Sequence, residues 1–196
     1  RGLGDVYKRQ EEIIRGDIAI QDGIIAGIGS FHGKEERDLA GRYVCPGFID
    51  SHLHLESTLV TPAELVTVAS RHGTTTFIVD PHESANVSGL AGIDYILDQT
   101  EDVKANVYVM MPSCVPATAI DDNGCTLTAE DMAPYLHNSR ILGLGEVMDS
   151  ISVVQGEKSM HDKLELFEGR IRDGHAPFLE EGDLQAYAMA GIATDH

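Results

Sequence analysis

The sequence predicts an α/β protein in which repeated strand and helix units build a parallel sheet behind a short N-terminal β segment. Three observations carry this. From Tyr43 onward, short apolar runs rich in β-branched residues alternate with helical patterns. Several of the helical stretches carry start and stop residues in the expected order. Near the N terminus, an Asp-Gly pair between two Ile-containing runs reads as a hairpin.

Taken in order, Arg1 to Gln10 differ in texture from the rest of the chain and are expected to be a non-native leader, so the fold argument starts after them. Residues 11–45 hold the β segment. Asp17-Ile18-Ala19-Ile20, the Asp22-Gly23 turn and Ile24 to Ile28 form its hairpin between Gly16 and Gly29, and the charged stretch Phe31 to Ala40 is a solvated linker. Residues 46–196 hold the β/α units. Strands are expected within Val44 to Leu55, Thr74 to Asp80, Asn106 to Met111 and Ile141 to Met148, then at Arg170 to His175 and, as the start of a sixth, Gly191 to His196. The first helix, Pro62 to His72, has Thr61 as N-cap, Pro62 at its first position and Gly73 at its end. Further helices are expected at Ser88 to Gln99, Thr128 to Asn138 (opened by Thr128-x-x-Asp131 and weakened by Pro134), His161 to Arg170 and Asp183 to Ala190.

Composition narrows the function classes. With 196 residues, 42% of them hydrophobic and 23% charged, the chain can bury a core and is not a disordered one. No apolar run reaches the roughly 20 residues of a membrane helix, so a spanning protein is not expected. Fourteen Lys+Arg against 32 Asp+Glu give a formal net charge of -18, which repels phosphate backbones and argues against a nucleic-acid partner. Three cysteines (Cys45, Cys114 and Cys125) without C-x-x-C spacing suggest neither a disulfide framework nor a zinc knuckle; with no export signal visible, a cytoplasmic protein is expected.

Chemistry concentrates at strand ends. In Pro46-Gly47-Phe48-Ile49-Asp50-Ser51-His52-Leu53-His54-Leu55-Glu56, a strand's period of two turns His52 and His54 to one face and Ile49, Leu53 and Leu55 to the other. Two converging imidazoles on a rigid strand suit Zn, Mn or Fe. Polar residues recur after the later strands: Asp80, His82 and Glu83; Ser113 and Cys114; Glu146 and Asp149; His175; Asp195 and His196. His32, His72, His137 and His161 lie in a loop or at helix ends and are read as ordinary structural or surface residues.

Pro-Gly-Phe-Ile-Asp-Ser-His-Leu-His followed by Glu-Ser-Thr-Leu-Val-Thr-Pro resembles the first barrel strand of the amidohydrolase superfamily. Val79-Asp80-Pro81-His82-Glu83-Ser84-Ala85-Asn86-Val87, Pro112 to Thr118, Gly143-Leu144-Gly145-Glu146-Val147-Met148-Asp149, Asp173-Gly174-His175-Ala176-Pro177 and Ala190 to His196 narrow the likeness to its adenine-deaminase branch, in order from about Gly16 to the end. The resemblance implies an incomplete (β/α)8 TIM-type barrel of about six units, with the N-terminal segment contributing to a small β-sandwich domain. It implies two divalent metal ions (Mn, Fe or Zn), His52 and His54 on one, Glu146 shared and catalytic, His175 and His196 on the second. It implies hydrolytic deamination of a small-molecule purine and is compatible with a homo-oligomer; His82, Glu83 and Ser113, which follow strands two and three on the active-site face, are candidate substrate contacts. An amidohydrolase acting on another cyclic amide or imide, and a catalytically inactive truncated chain, are the competing readings. Two departures accompany the likeness: strands seven and eight, with the eighth-strand Asp, do not follow His196, so unpaired sheet edges are expected to make the chain prone to aggregate, and Phe178 to Gly182 is bulkier than the Gly-rich turn expected there.

Overall fold

The computed structural model describes residues 4–5, 13–118 and 120–195. The chain divides into two compact units, Arg1–Gly47 and Phe48–His196.

In the first unit, β2 (Arg15–Gln21) and β3 (Ile24–Gly29) form the expected antiparallel hairpin, and β1 (Gly4–Asp5), within the stretch expected to be a leader, pairs with the start of β2. The turn follows from its residues. Asp22 and Gly23 sit at φ 53° and 77°, the left-handed pair that a two-residue type I′ turn demands. The Phe31 N–H is anchored on Asp17 Oδ2 at 3.1 Å, and this ties the linker back to the hairpin.

The second unit is a parallel sheet of five strands in the order β4 (Phe48–Leu53), β5 (Thr74–Val79), β6 (Asn106–Met111), β7 (Ile141–Val147) and β8 (Ile171–Gly174). Spatial order equals chain order. A doubly wound sheet would reverse direction at a switch point, so this succession is that of a singly wound, incomplete barrel. Strand β7 and the second half of β6 are buried almost without interruption, as parallel strands covered on both sides must be, while β5 is buried only at Phe77 and Val79. Phe77, Val79, Val107, Val109, Met111, Ile141, Leu144 and Val147 are all core residues.

Helices α1 (Pro62–Ser70), α3 (Leu90–Gln99), α6 (Lys158–Leu166) and α7 (Glu181–Met189) connect or follow the strands. Thr61 caps α1 by accepting the Glu64 N–H, as its sequence promised. In α3, Ile93, Ile96 and Leu97 share the buried face. Other elements depart from expectation. Helix α3 matches the expected Ser88 to Gln99, but an unexpected helix, α2 (His82–Ser88), precedes it, the two separated by Gly89 at φ 61° and ψ −138°. The Thr128 capping box is present, but α4 (Ala129–Met132) lasts one turn before Pro134 turns Ala133–His137 into a 3-10 segment. A further short helix, α5 (Ser150–Gln155), precedes α6, which begins three residues ahead of His161. Gly191 to Asp195 form no sixth strand among the described residues; Gly191 at φ 84° turns the chain, and the Ala193 N–H reaches Arg172 O at only 3.4 Å.

The outer strands show where the sheet stops. Phe48 and Ile49 on β4 and Ile171 on β8 are exposed large apolar residues, so Ile49 does not share the burial of Leu55 on its face.

Candidate metal centre

Four strand ends supply the site. Pairing between β4 and β5 slips between Asp50 and Leu53, and pairing between β7 and β8 slips between Leu144 and Val147. Such irregularities re-aim side chains, and these two flank His52 and Glu146. His54 lies just past the end of β4. The result is convergence. His52 Nε2 and His54 Nε2 are 3.0 Å apart, and Glu146 Oε1 lies 2.6 Å from the first and 2.8 Å from the second.

The far side of each ring is already engaged. His52 Nδ1 lies 3.2 Å from Asp173 Oδ2, and His54 Nδ1 lies 2.8 Å from Asp80 O. An acceptor at Nδ1 keeps the proton there and leaves the Nε2 lone pair facing inward, which is the outer-shell arrangement of metal-binding histidines. Without a cation, a proton takes its place: the hydrogen bond to Glu146 raises His54 from 6.5 to about 9 against the effect of burial. Burial pushes the Glu146 carboxyl up, but the His54 hydrogen bond and the charges of His52, His54 and His82 outweigh it and hold the group at about 2. Two imidazoles and a carboxylate on one point therefore fit a Zn, Mn or Fe ion.

Asp80 holds this arrangement from beneath. Its carboxylate accepts the Glu146 N–H at 2.7 Å while its own carbonyl orients His54. The packing is close enough to require Gly145, because a Cβ there would stand 2.2 Å from Asp80 Oδ2. Neither Asp173 nor Asp80 belongs to the ligand set expected from the sequence, where Asp80 stands out only as one of several polar residues at strand ends.

The remaining expected residues are distributed around the cluster. His82 opens α2 with its ring centroid 4.5 Å from that of His54. His82 and Glu83, with Asn86, Cys114 and Asp121, line a cavity of about 410 Å³. Ser113 lies beside Glu146 but is buried: its hydroxyl donates to Glu146 O, and its carbonyl accepts from the buried Lys163 Nζ at 2.6 Å, so it supports the ligand strand instead of lining that cavity. His175 follows β8, with its backbone N–H donating to Tyr187 Oη at 3.0 Å, and is not part of the His52–His54–Glu146 group. His196 lies outside the described residues.

A family profile described as the amidohydrolase family matches residues 43–196. The chain belongs to the amidohydrolase family. It is 60% identical over 186 residues to an adenine deaminase of Desulfitobacterium hafniense, covering 95% of this chain and 33% of that protein. It is 46% identical over 185 residues to adenine deaminase 2 of Carboxydothermus hydrogenoformans, covering 94% of this chain and 32% of that one. The chain thus spans about a third of the length of these relatives. Among solved structures, the atrazine chlorohydrolase of Arthrobacter aurescens complexed with zinc has the same fold, with a TM-score of 0.53 and 13% identity over 100% of this chain and 64% of that one. No helix among the described residues is long and apolar enough to cross a membrane.

Proposed function

We propose that the protein is a metal-dependent adenine deaminase, converting adenine and water to hypoxanthine and ammonia in the cytoplasm. The observation that carries this reading is the meeting of His52, His54 and Glu146 with both Nδ1 atoms occupied by acceptors. It is supported by the likeness to proteins named adenine deaminases. In this reading His52 and His54 hold one divalent cation, Glu146 is shared, and His175 and His196 belong to the second, with Mn, Fe and Zn all suited to the donors. Two bound cations lower the pKa of a water enough to supply hydroxide near neutral pH. The chain's part is to fix the donors: Asp173 and Asp80 hold the two imidazoles, and the Asp80 carboxylate holds the Glu146 backbone. His82 and Glu83 line the neighbouring cavity of about 410 Å³, which has room for a purine ring.

The test is turnover by the full-length protein after chelation and reconstitution with Mn²⁺, Fe²⁺ or Zn²⁺, followed as ammonia and hypoxanthine formed from adenine. Hydrolysis of a cyclic imide with none of adenine would overturn the substrate assignment.

A further inference from the structure

We propose that Asp80, His82 and Glu146 form a further cation position, taking a divalent transition-metal ion through one imidazole nitrogen and two carboxylate oxygens. It goes beyond the function proposed above, in which Glu146 is a metal ligand, Asp80 a positioning residue and His82 a lining residue of the neighbouring cavity.

The three ligating atoms lie within 4.8 Å of one another. The stronger indication is what their atoms lack. Asp80 is 1% exposed, and while its Oδ2 accepts the Glu146 N–H, its Oδ1 is buried with no hydrogen-bond partner. His82 Nδ1 is also buried without one, 3.7 Å from that same Oδ1. That distance is too long for a hydrogen bond. It suits two ligands on one ion: with metal bonds of about 2.0–2.2 Å, donors so spaced subtend roughly 120°, compatible with four- or five-coordination. Asp80 and His82 stand at ion-pair distance with no hydrogen bond between them, and a buried carboxylate oxygen left without a hydrogen bond is costly.

The surroundings favour an ion over a water. Glu146 supplies a second carboxylate, so the position carries the negative charge a cation requires. The His82 ring is fixed at the first position of α2 and packed edge-on against His54 at an interplanar angle of 60°. His82 also lines the adjoining cavity. An imidazole with carboxylates selects Zn, Mn or Fe over Mg or Ca.

The experiment uses the full-length protein, stripped by chelation and titrated with Zn²⁺ alone, with bound metal per chain read by elemental analysis. His82→Ala and His82→Gln are each expected to lose one Zn²⁺ per chain, or to bind it at least tenfold more weakly, while a His52→Ala control loses a different ion and keeps this one. Equal thermal midpoints of the metal-free wild type and variants show that the fold is retained, and the Gln variant serves if the Ala variant does not fold. Wild-type stoichiometry and affinity in a folded His82 variant would overturn the proposal. Loss of one ion in the His82 variants, with a metal-loaded wild type that never deaminates adenine, would uphold this position and refute the function proposed above.

Discussion

Gly145→Ala is the most informative single change, because one methyl group tests how the metal centre is held. The added Cβ would lie 2.2 Å from Asp80 Oδ2 and 2.7 Å from its Cγ, far inside the 3.4 Å at which ordinary contact begins. Asp80 is fully buried and has little space to yield. Overpacking of this kind costs about 1–3 kcal/mol. Displacing the carboxylate also breaks its 2.7 Å bond from the Glu146 N–H, a charged hydrogen bond contributing about 1.5–3 kcal/mol. Together these put the loss of stability at about 2.5–6 kcal/mol, read as a lowered thermal midpoint. Because Glu146 moves with its backbone, Zn²⁺ affinity should fall about 10–100-fold, as for other outer-shell changes. Differential scanning calorimetry and Zn²⁺ titration of the full-length protein read both numbers. Wild-type midpoint and wild-type affinity in Gly145→Ala would refute the role given to Asp80.

Three further outcomes are expected. Glu146→Gln should abolish turnover and reduce bound metal, and near-normal activity with full metal content would defeat its assignment as shared ligand. In chelated protein, Glu146 at about 2 stabilises fully above 4.5 and loses this as pH falls toward 2, while His54 at about 9 stabilises fully below 6.5 and loses it as pH rises toward 9. The metal-free thermal midpoint should therefore peak between pH 4.5 and 6.5 and flatten in Glu146→Gln; a wild-type profile already flat would contradict the pairing. Lys163→Met leaves the buried Ser113 carbonyl without its 2.6 Å donor and should cost about 1–3 kcal/mol, read by urea denaturation; an unchanged midpoint would show that this contact carries no net stability.

Local signals made some of this structure legible and long-range ones hid the rest. The hairpin was readable because Asp22-Gly23 determines its own turn, and α1 because Thr61, Pro62 and Gly73 are all within or beside it. His-x-His was readable because a strand's period is fixed by the backbone. Helix α2 was not: His-Glu-Ser-Ala-Asn-Val-Ser has no apolar stripe and no capping side chain of its own. The short α5 is rich in β-branched residues and begins only because Asp149 caps it through the Ser152 N–H. Asp173 was hidden for another reason. Its partner His52 is 121 residues away, and no local pattern encodes such a contact. A sixth strand was expected at Gly191 to His196; Gly191 ends α7 and the Ala193 N–H approaches Arg172 O on β8 at 3.4 Å, but no ladder forms among the described residues.

Helix α2 borrows its N-terminal acceptor from the preceding unit: Glu56 Oε1 accepts the Glu83 and Ser84 N–H groups at 3.1 and 3.2 Å, and Ser57 adds a bond to the Glu83 carboxylate. A helix that cannot finish its own end is not an independent folding module. The segment after β4 and the segment after β5 must therefore open together, and amide protons of α2 should exchange at the rate set by the Glu56 turn. The residues flanking the cluster then form one cooperative block, so the chain cannot loosen the wall holding His82 while keeping the turn that follows His54 in place.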